Sequence, residues 1–119
     1  MGHLSRFIEP DILLLLKKKG CSYGYDLGNE LQRHAISDAE IDPGALYRTL
    51  RTLEANGNVV SEWGSESSGP ARRVYRLTKT GEAHLREWAA VLDHLSESLQ
   101  RFVSEASAEL GVDPGAVNK

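Results

Sequence analysis

The chain has 119 residues, 40% hydrophobic and 26% charged, with a formal net charge of −3. That length holds one small domain with a single core, and the composition is that of a soluble globular protein rather than a fibrous or disordered one. The acidic total argues mildly against a nucleic-acid partner, but it is an average: residues 1–80 carry eleven Lys/Arg against ten Asp/Glu, and residues 81–119 carry three against seven.

The start, "MGHLSRFIEP", has no long apolar run of the signal-peptide kind, and "ILLLL" is too short to cross a bilayer, so a cytoplasmic protein without membrane partners is expected. Pro10 suits the first turn of a helix and Gly20 its end. Lys17, Lys18 and Lys19 then complement the C-terminal end of the helix dipole, and a solvated helix end is preferred to a phosphate-binding cluster. Cys21 is the only cysteine, which excludes an intrachain disulfide and fits a reducing compartment. It reads as a small buried hydrophobe rather than a nucleophile.

Ser22 is a candidate cap for a second helix, "YGYDLGNELQRHA", with Leu27 and Leu31 on one face. Gly24 and Gly28 weaken that helix, each by up to ~1 kcal/mol relative to alanine. Their presence suggests the close approach of another chain or of a DNA backbone. The third helix is marked more firmly. Asp42 is a good N-cap, Pro43 stands where proline is tolerated, and Asn56-Gly57 is a stop. Leu46, Leu50 and Leu53 share one face, while Gly44, Tyr47, Arg48 and Arg51 project from another.

"NVVSEW" and "RRVYRL" read as two strands of a hairpin. The joining loop, "GSESSGPA", is longer than a hairpin built for stability alone requires. Arg72 and Arg73 stand at its base, opposed by Glu54, Glu62 and Glu66; Trp63 reads as a packing residue. Thr78 or Thr80 caps a last helix from about Gly81 to Leu110. In it Leu85, Trp88, Leu92, Leu95, Leu99, Phe102 and Ala106 follow a 3, 4 spacing, a heptad seam. A helix that long exceeds what so small a domain can cover, so dimerisation is preferred to packing on the same domain. "GVDPGAVNK" reads as a flexible tail.

The expected fold is therefore mainly α with a β-hairpin: a winged helix-turn-helix domain over residues 1–80, a dimerisation helix over 81–110 and a tail over 111–119. In a winged helix-turn-helix the third helix enters the major groove and the hairpin tip touches the backbone or minor groove. Arginine on such a helix can make bidentate contacts to guanine or hold phosphates, and tyrosine can donate to a phosphate. Catalysis is not expected. His3, His34, His84 and His94 form no i,i+4 pair or metal signature, and no nucleophile elbow, P-loop or dinucleotide-binding pattern occurs. No metal or cofactor is called for.

The stretches "ILLLLKKKGCSYGYDL", "IDPGALYRTLRTLEANGNV" and "RRVYRLTKTGEAHLREW", with the Gly/Ser-rich wing between the last two, resemble the PadR family of bacterial transcriptional regulators over roughly residues 7–105. One C-terminal helix in so short a chain is similar to the shorter subfamily. The resemblance implies a homodimeric repressor whose last helices dimerise and whose recognition helices each read half of a palindromic operator in double-stranded DNA. It makes Tyr47, Arg48, Thr49 and Arg51 candidate groove residues and places Tyr23 and Tyr25 near a phosphate. Arg72 and Arg73 correspond to the basic end of the wing, and Tyr75, Leu77, Thr78 and Gly81 to a structural strand-to-helix junction. Some short relatives accept a flat hydrophobic or aromatic effector between their dimerising helices. Trp88 is the candidate contact here, although as a seam residue it is accounted for without a ligand, and Leu92 and Leu95 add no aromatic ring to a stacking cavity. The alternative is a winged-helix protein-interaction module using the acidic last helix, and a small-molecule enzyme ranks third.

Overall fold

A computed structural model describes residues 7–34, 42–64 and 72–113. The chain divides into two compact units, Met1–Arg86 and Glu87–Lys119. In the first, the order is α1 (Ile8–Lys19), β1 (Cys21–Tyr23), α2 (Gly24–His34), α3 (Pro43–Ala55), β2 (Val59–Trp63), β3 (Arg73–Leu77) and the start of α4 (Lys79–Leu110). The wing tip over 65–71, with Glu66, and the start over 1–6, with His3, lie outside the described residues, as does 114–119 of the expected tail.

The core of the first unit is a meeting of short leucine faces. Ile12, Leu13 and Leu16 from α1 are fully buried against Leu27 and Leu31 of α2 and Leu50 and Leu53 of α3. Each such side chain removed from water contributes about 1.5–3 kcal/mol. The turns confirm the expected punctuation. Gly20 and Gly57 end α1 and α3 with φ of 86° and 79°, a region open to glycine at little cost. The Asp42 carboxylate accepts from the Ala45 N–H at 3.3 Å, capping α3 with Pro43 in its first turn.

The sheet has three antiparallel strands in the order β1-β3-β2, not the two of a bare hairpin. Cys21, Ser22 and Tyr23 pair with Arg76, Tyr75 and Val74. Ser22 is thus a buried strand residue whose hydroxyl donates to the Tyr23 carbonyl at 3.0 Å, and it caps no helix. Cys21 is exposed, contrary to the buried hydrophobe expected, because its place on the short strand leaves it on the outer side.

Thr78, not Thr80, starts α4. Its hydroxyl accepts from the Gly81 N–H at 3.0 Å, so the helix begins at Lys79, two residues before the expected Gly81. Lys17 of α1 pairs with Glu82, and Glu9 with His84, so both ends of α1 are tied to the first turns of α4. Lys17, Lys18 and Lys19 are all exposed, as a solvated helix end requires.

The second unit carries the rest of α4 to Leu110. Val91, Leu99 and Phe102 are 59%, 55% and 67% exposed and Leu95 is 37% exposed, while Trp88 and Leu92 are half-buried, as is Leu85 in the first unit. No helix among the described residues is long and apolar enough to cross a membrane.

Candidate nucleic-acid interface

Four elements, β1, α2, α3 and β3, converge on one cleft. It has a volume of about 400 Å³ and is lined by Tyr23 and Gly24 at the β1–α2 junction, Tyr25 in the first turn of α2, Tyr47 on α3, and Arg72, Arg73 and Tyr75 at the wing base. The chain has four tyrosines, and all four line it. Of the residues proposed from sequence for DNA contact, the fold brings together Tyr23, Tyr25, Tyr47, Arg72 and Arg73.

Gly44, Arg48, Thr49 and Arg51 do not line the cleft. Gly44 and Arg48 lie at the N-terminal end of α3, where Arg48 Nη2 is 3.7 Å from an Asp42 carboxylate oxygen. Both side chains are about two-thirds exposed, so the pair contributes no more than about 1 kcal/mol. Thr49 is the weakest of the groove candidates. Its hydroxyl donates back to the Ala45 carbonyl at 2.8 Å, and the side chain is half-buried. Arg51 is exposed, has no hydrogen-bond or ion-pair partner among the described residues, and is close enough to Tyr75 to act on its titration.

The space beside Gly24 and Gly28 is used within the chain itself, although Gly24 also lines the cleft and Gly28 the second hollow described below. A Cβ on Gly24 would lie 2.9 Å from Tyr47 Cε1, and one on Gly28 would lie 3.2 Å from Leu46 Cδ2. The two glycines let α3 press its own side chains onto α2. A second, smaller hollow of about 240 Å³ follows between the helices, lined by Tyr25, Asn29, Gln32, Pro43 and Tyr47 among others. Tyr25 and Tyr47 therefore stand between two depressions of the helix-turn-helix face, and Tyr25 is 65% exposed.

Tyr75, which the resemblance places at a structural junction, is also a wall of the cleft. It is 7% exposed, and burial, then the Glu54 carboxylate, raise the pKa of its hydroxyl above the ordinary value. The positive charges of Arg73 and Arg51 act the other way without prevailing. The group stays protonated at neutral pH and is a hydrogen-bond donor there. Strand alternation in "RRVYRL" already set Tyr75 on the face opposite its neighbours, the signal by which it could have been found.

The wing base is tied down on its β2 side. Ser61 donates to Glu54 at 2.7 Å and accepts from Arg73 Nη1 at 3.0 Å. The Arg73 guanidinium lies 4.6 Å from the centre of the Trp63 ring, a contact that contributes about 0.5–1 kcal/mol at an exposed site. Trp63 is 61% exposed, so it is a platform for Arg73 rather than the packing residue expected. Glu62 pairs with Arg76 at 3.4 Å. No group of three or more His, Cys, Asp or Glu that could hold a metal ion occurs among the described residues.

The profile of the transcriptional regulator PadR-like family matches residues 12–87. A Mycobacterium tuberculosis transcriptional regulator is 43% identical over 77 residues, 65% of this chain and 68% of its own. An uncharacterized Lysinibacillus sphaericus protein is 31% identical over 106 residues, 83% of this chain and 93% of its own. The crystal structure of a PadR-like transcription factor from Bacteroides fragilis superposes with a TM-score of 0.68 at 30% identity, covering 82% of this chain and 91% of that one.

Proposed function

The chain belongs to the PadR-like family of transcriptional regulators, and from that premise we propose that it is a repressor that binds a palindromic operator as a homodimer. The observation that carries the reading is the convergence of all four tyrosines with Arg72 on one cleft beside the exposed face of α3. In this reading α3 lies in the major groove. Arg51 and Arg48 reach base edges or phosphates from its exposed side, while Gly44 keeps its N-terminal end narrow. The tyrosine hydroxyls and the Arg72 guanidinium take the sugar-phosphate backbone, which fixes register without reading sequence.

Dimerisation runs through α4. A seam in which Leu95, Leu99 and Phe102 are 37%, 55% and 67% exposed in one chain has an apolar face to cover, and a second copy supplies an identical one. Occlusion of a promoter follows when the two recognition helices match half-sites about one helical turn, roughly 34 Å, apart. A small hydrophobic or aromatic effector would act by differential affinity for the competent and incompetent spacings, with Trp88 as its contact.

The test is selection of duplexes from a random-sequence library, then binding of the enriched and scrambled duplexes at two salt concentrations. Enrichment of a two-fold symmetric site that outcompetes its scrambled version is the expected result. Equal binding of the two sinks the sequence-specific reading and leaves the protein-interaction module in its place.

A further inference from the structure

Around the cleft, Arg73 differs from Arg51 and Arg72. All three are exposed, but the side chains of Arg51 and Arg72 have no hydrogen-bond or ion-pair partner among the described residues. Arg73 is held from two sides, by the Ser61 hydroxyl at 3.0 Å and by the Trp63 ring at 4.6 Å. Ser61 in turn donates to the Glu54 carboxylate at 2.7 Å. A hydroxyl has one proton and two lone pairs, so donating to Glu54 leaves Ser61 free to accept from Arg73. The polarity of the chain Arg73–Ser61–Glu54 is therefore consistent from end to end. Its members come from three elements: Glu54 from the last turn of α3, Ser61 and Trp63 from β2, and Arg73 from the first position of β3, where it pairs in register with Trp63.

We infer that Arg73 is a positioning residue that ties the wing to the recognition helix through Ser61 and Glu54, with Trp63 as its platform, and that it does not itself neutralise a DNA phosphate. The consequence for DNA rests on the reading proposed above. Moving Arg73 onto a phosphate would leave the Glu54 carboxylate uncompensated beside the DNA. Arg73 is the first residue of β3, so this tie sets where the start of that strand stands relative to α3. A planar guanidinium can both lie on an indole and donate sideways; a lysine ammonium cannot do both.

Two measurements test this on the full chain. The first needs no DNA. The chain has two tryptophans, so in a Trp88→Phe background only Trp63 emits. Ser61→Ala, Glu54→Gln and Arg73→Lys should each shift that emission, and unchanged spectra in all three overturn the tie. The second is the salt dependence of binding to the enriched duplex. Arg73→Gln should lower affinity about tenfold, roughly the effect of one lost hydrogen bond, with the slope of log K against log salt unchanged. Arg72→Gln should lower that slope by about 0.9, the signature of one phosphate contact. A slope that falls equally in Arg73→Gln, or affinity restored by Arg73→Lys, overturns the positioning role. Failure of the parent protein to prefer any duplex sinks the regulator reading instead, while the Trp63 emission still decides whether the tie exists.

Discussion

Tyr47 Cε1 lies 2.9 Å from the point a Cβ on Gly24 would occupy, with the hydroxyl oxygen at 3.3 Å. The first residue of α2 thus makes room for a ring that the third helix presents to the cleft. Gly24→Ala adds helix propensity of up to ~1 kcal/mol and introduces an overpacking strain of similar size. The ring is 39% exposed and can swing away. The expected outcome is a melting temperature changed by a few degrees at most, with duplex affinity reduced because Tyr47 leaves the cleft wall. Thermal denaturation and fluorescence anisotropy measure both, and unchanged affinity would show that Tyr47 makes no contact.

Arg51 and Arg72 should fail in different ways. Arg51 projects from the exposed side of α3, so Arg51→Ala is expected to cost about 1–3 kcal/mol and to relax preference at one position of each half-site. Arg72 stands at the cleft, and Arg72→Ala should weaken matched and scrambled duplexes by the same factor. Competition binding with single-base operator variants separates the two. If Arg51→Ala weakens every variant alike, α3 carries no base contact through Arg51.

The elevated Tyr75 pKa makes an alkaline prediction. The folded state holds this proton more tightly than the unfolded chain does, because burial and Glu54 disfavour the phenolate. Its contribution to stability is therefore complete below the ordinary tyrosine value of about 10 and is lost as pH rises through the higher folded value. Tyr75→Phe should abolish that part of the alkaline loss and remove the highest-pH part of the tyrosine absorbance titration. If that part of the titration persists in Tyr75→Phe, another tyrosine is the buried one.

Much of α3 was legible because several local signals agreed: the Asp42 cap, Pro43, the leucine face and the Asn56-Gly57 stop each call for the same helix. The strand β1 was not. Three residues show no periodicity, and what makes Cys21–Tyr23 a strand is pairing with Arg76, Tyr75 and Val74, more than fifty residues on. The same limit applied to the site. Tyr23 and Tyr25 entered only through a family resemblance, since nothing in "SYGYDL" says that it will face Arg72. The engagement of Arg73 needed Glu54, Ser61 and Trp63 to meet from two elements, and pairwise spacing along a chain does not encode that. The helix α4 shows the opposite case, because the 3, 4 spacing that calls for it lies within one element.

A backbone contact makes Gly81 the least replaceable residue of the junction. A Cβ there would lie 2.1 Å from the Asn58 carbonyl oxygen, which also accepts from the Thr78 N–H at 3.1 Å. Unlike the Tyr47 ring, this neighbour is held at the turn that ends α3 and cannot swing aside. Gly81→Ala should destabilise the first unit by about 1–3 kcal/mol or more, and chemical denaturation with an unchanged m-value would measure it. A loss within error of zero would mean that the start of α4 shifts freely relative to Asn58.

The last prediction concerns the seam itself. Leu95 is near its middle, between Leu92 and Leu99, and is 37% exposed in the single chain. In a dimer packed along this face an aspartate at the position would lose its hydration without gaining a cation, since both copies present the same leucines. Burying an unpaired carboxylate costs several kcal/mol, comparable to the whole stability of a modest dimer. Leu95→Asp should therefore sediment as a monomer with its far-UV circular dichroism little changed, because the core of the first unit does not include Leu95. Operator affinity should fall with it, as two half-sites would then be bound independently rather than by a linked pair. A Leu95→Asp protein that still sediments as a dimer would place the dimer interface elsewhere. Lost dimerisation with undiminished operator binding would mean that one recognition helix suffices.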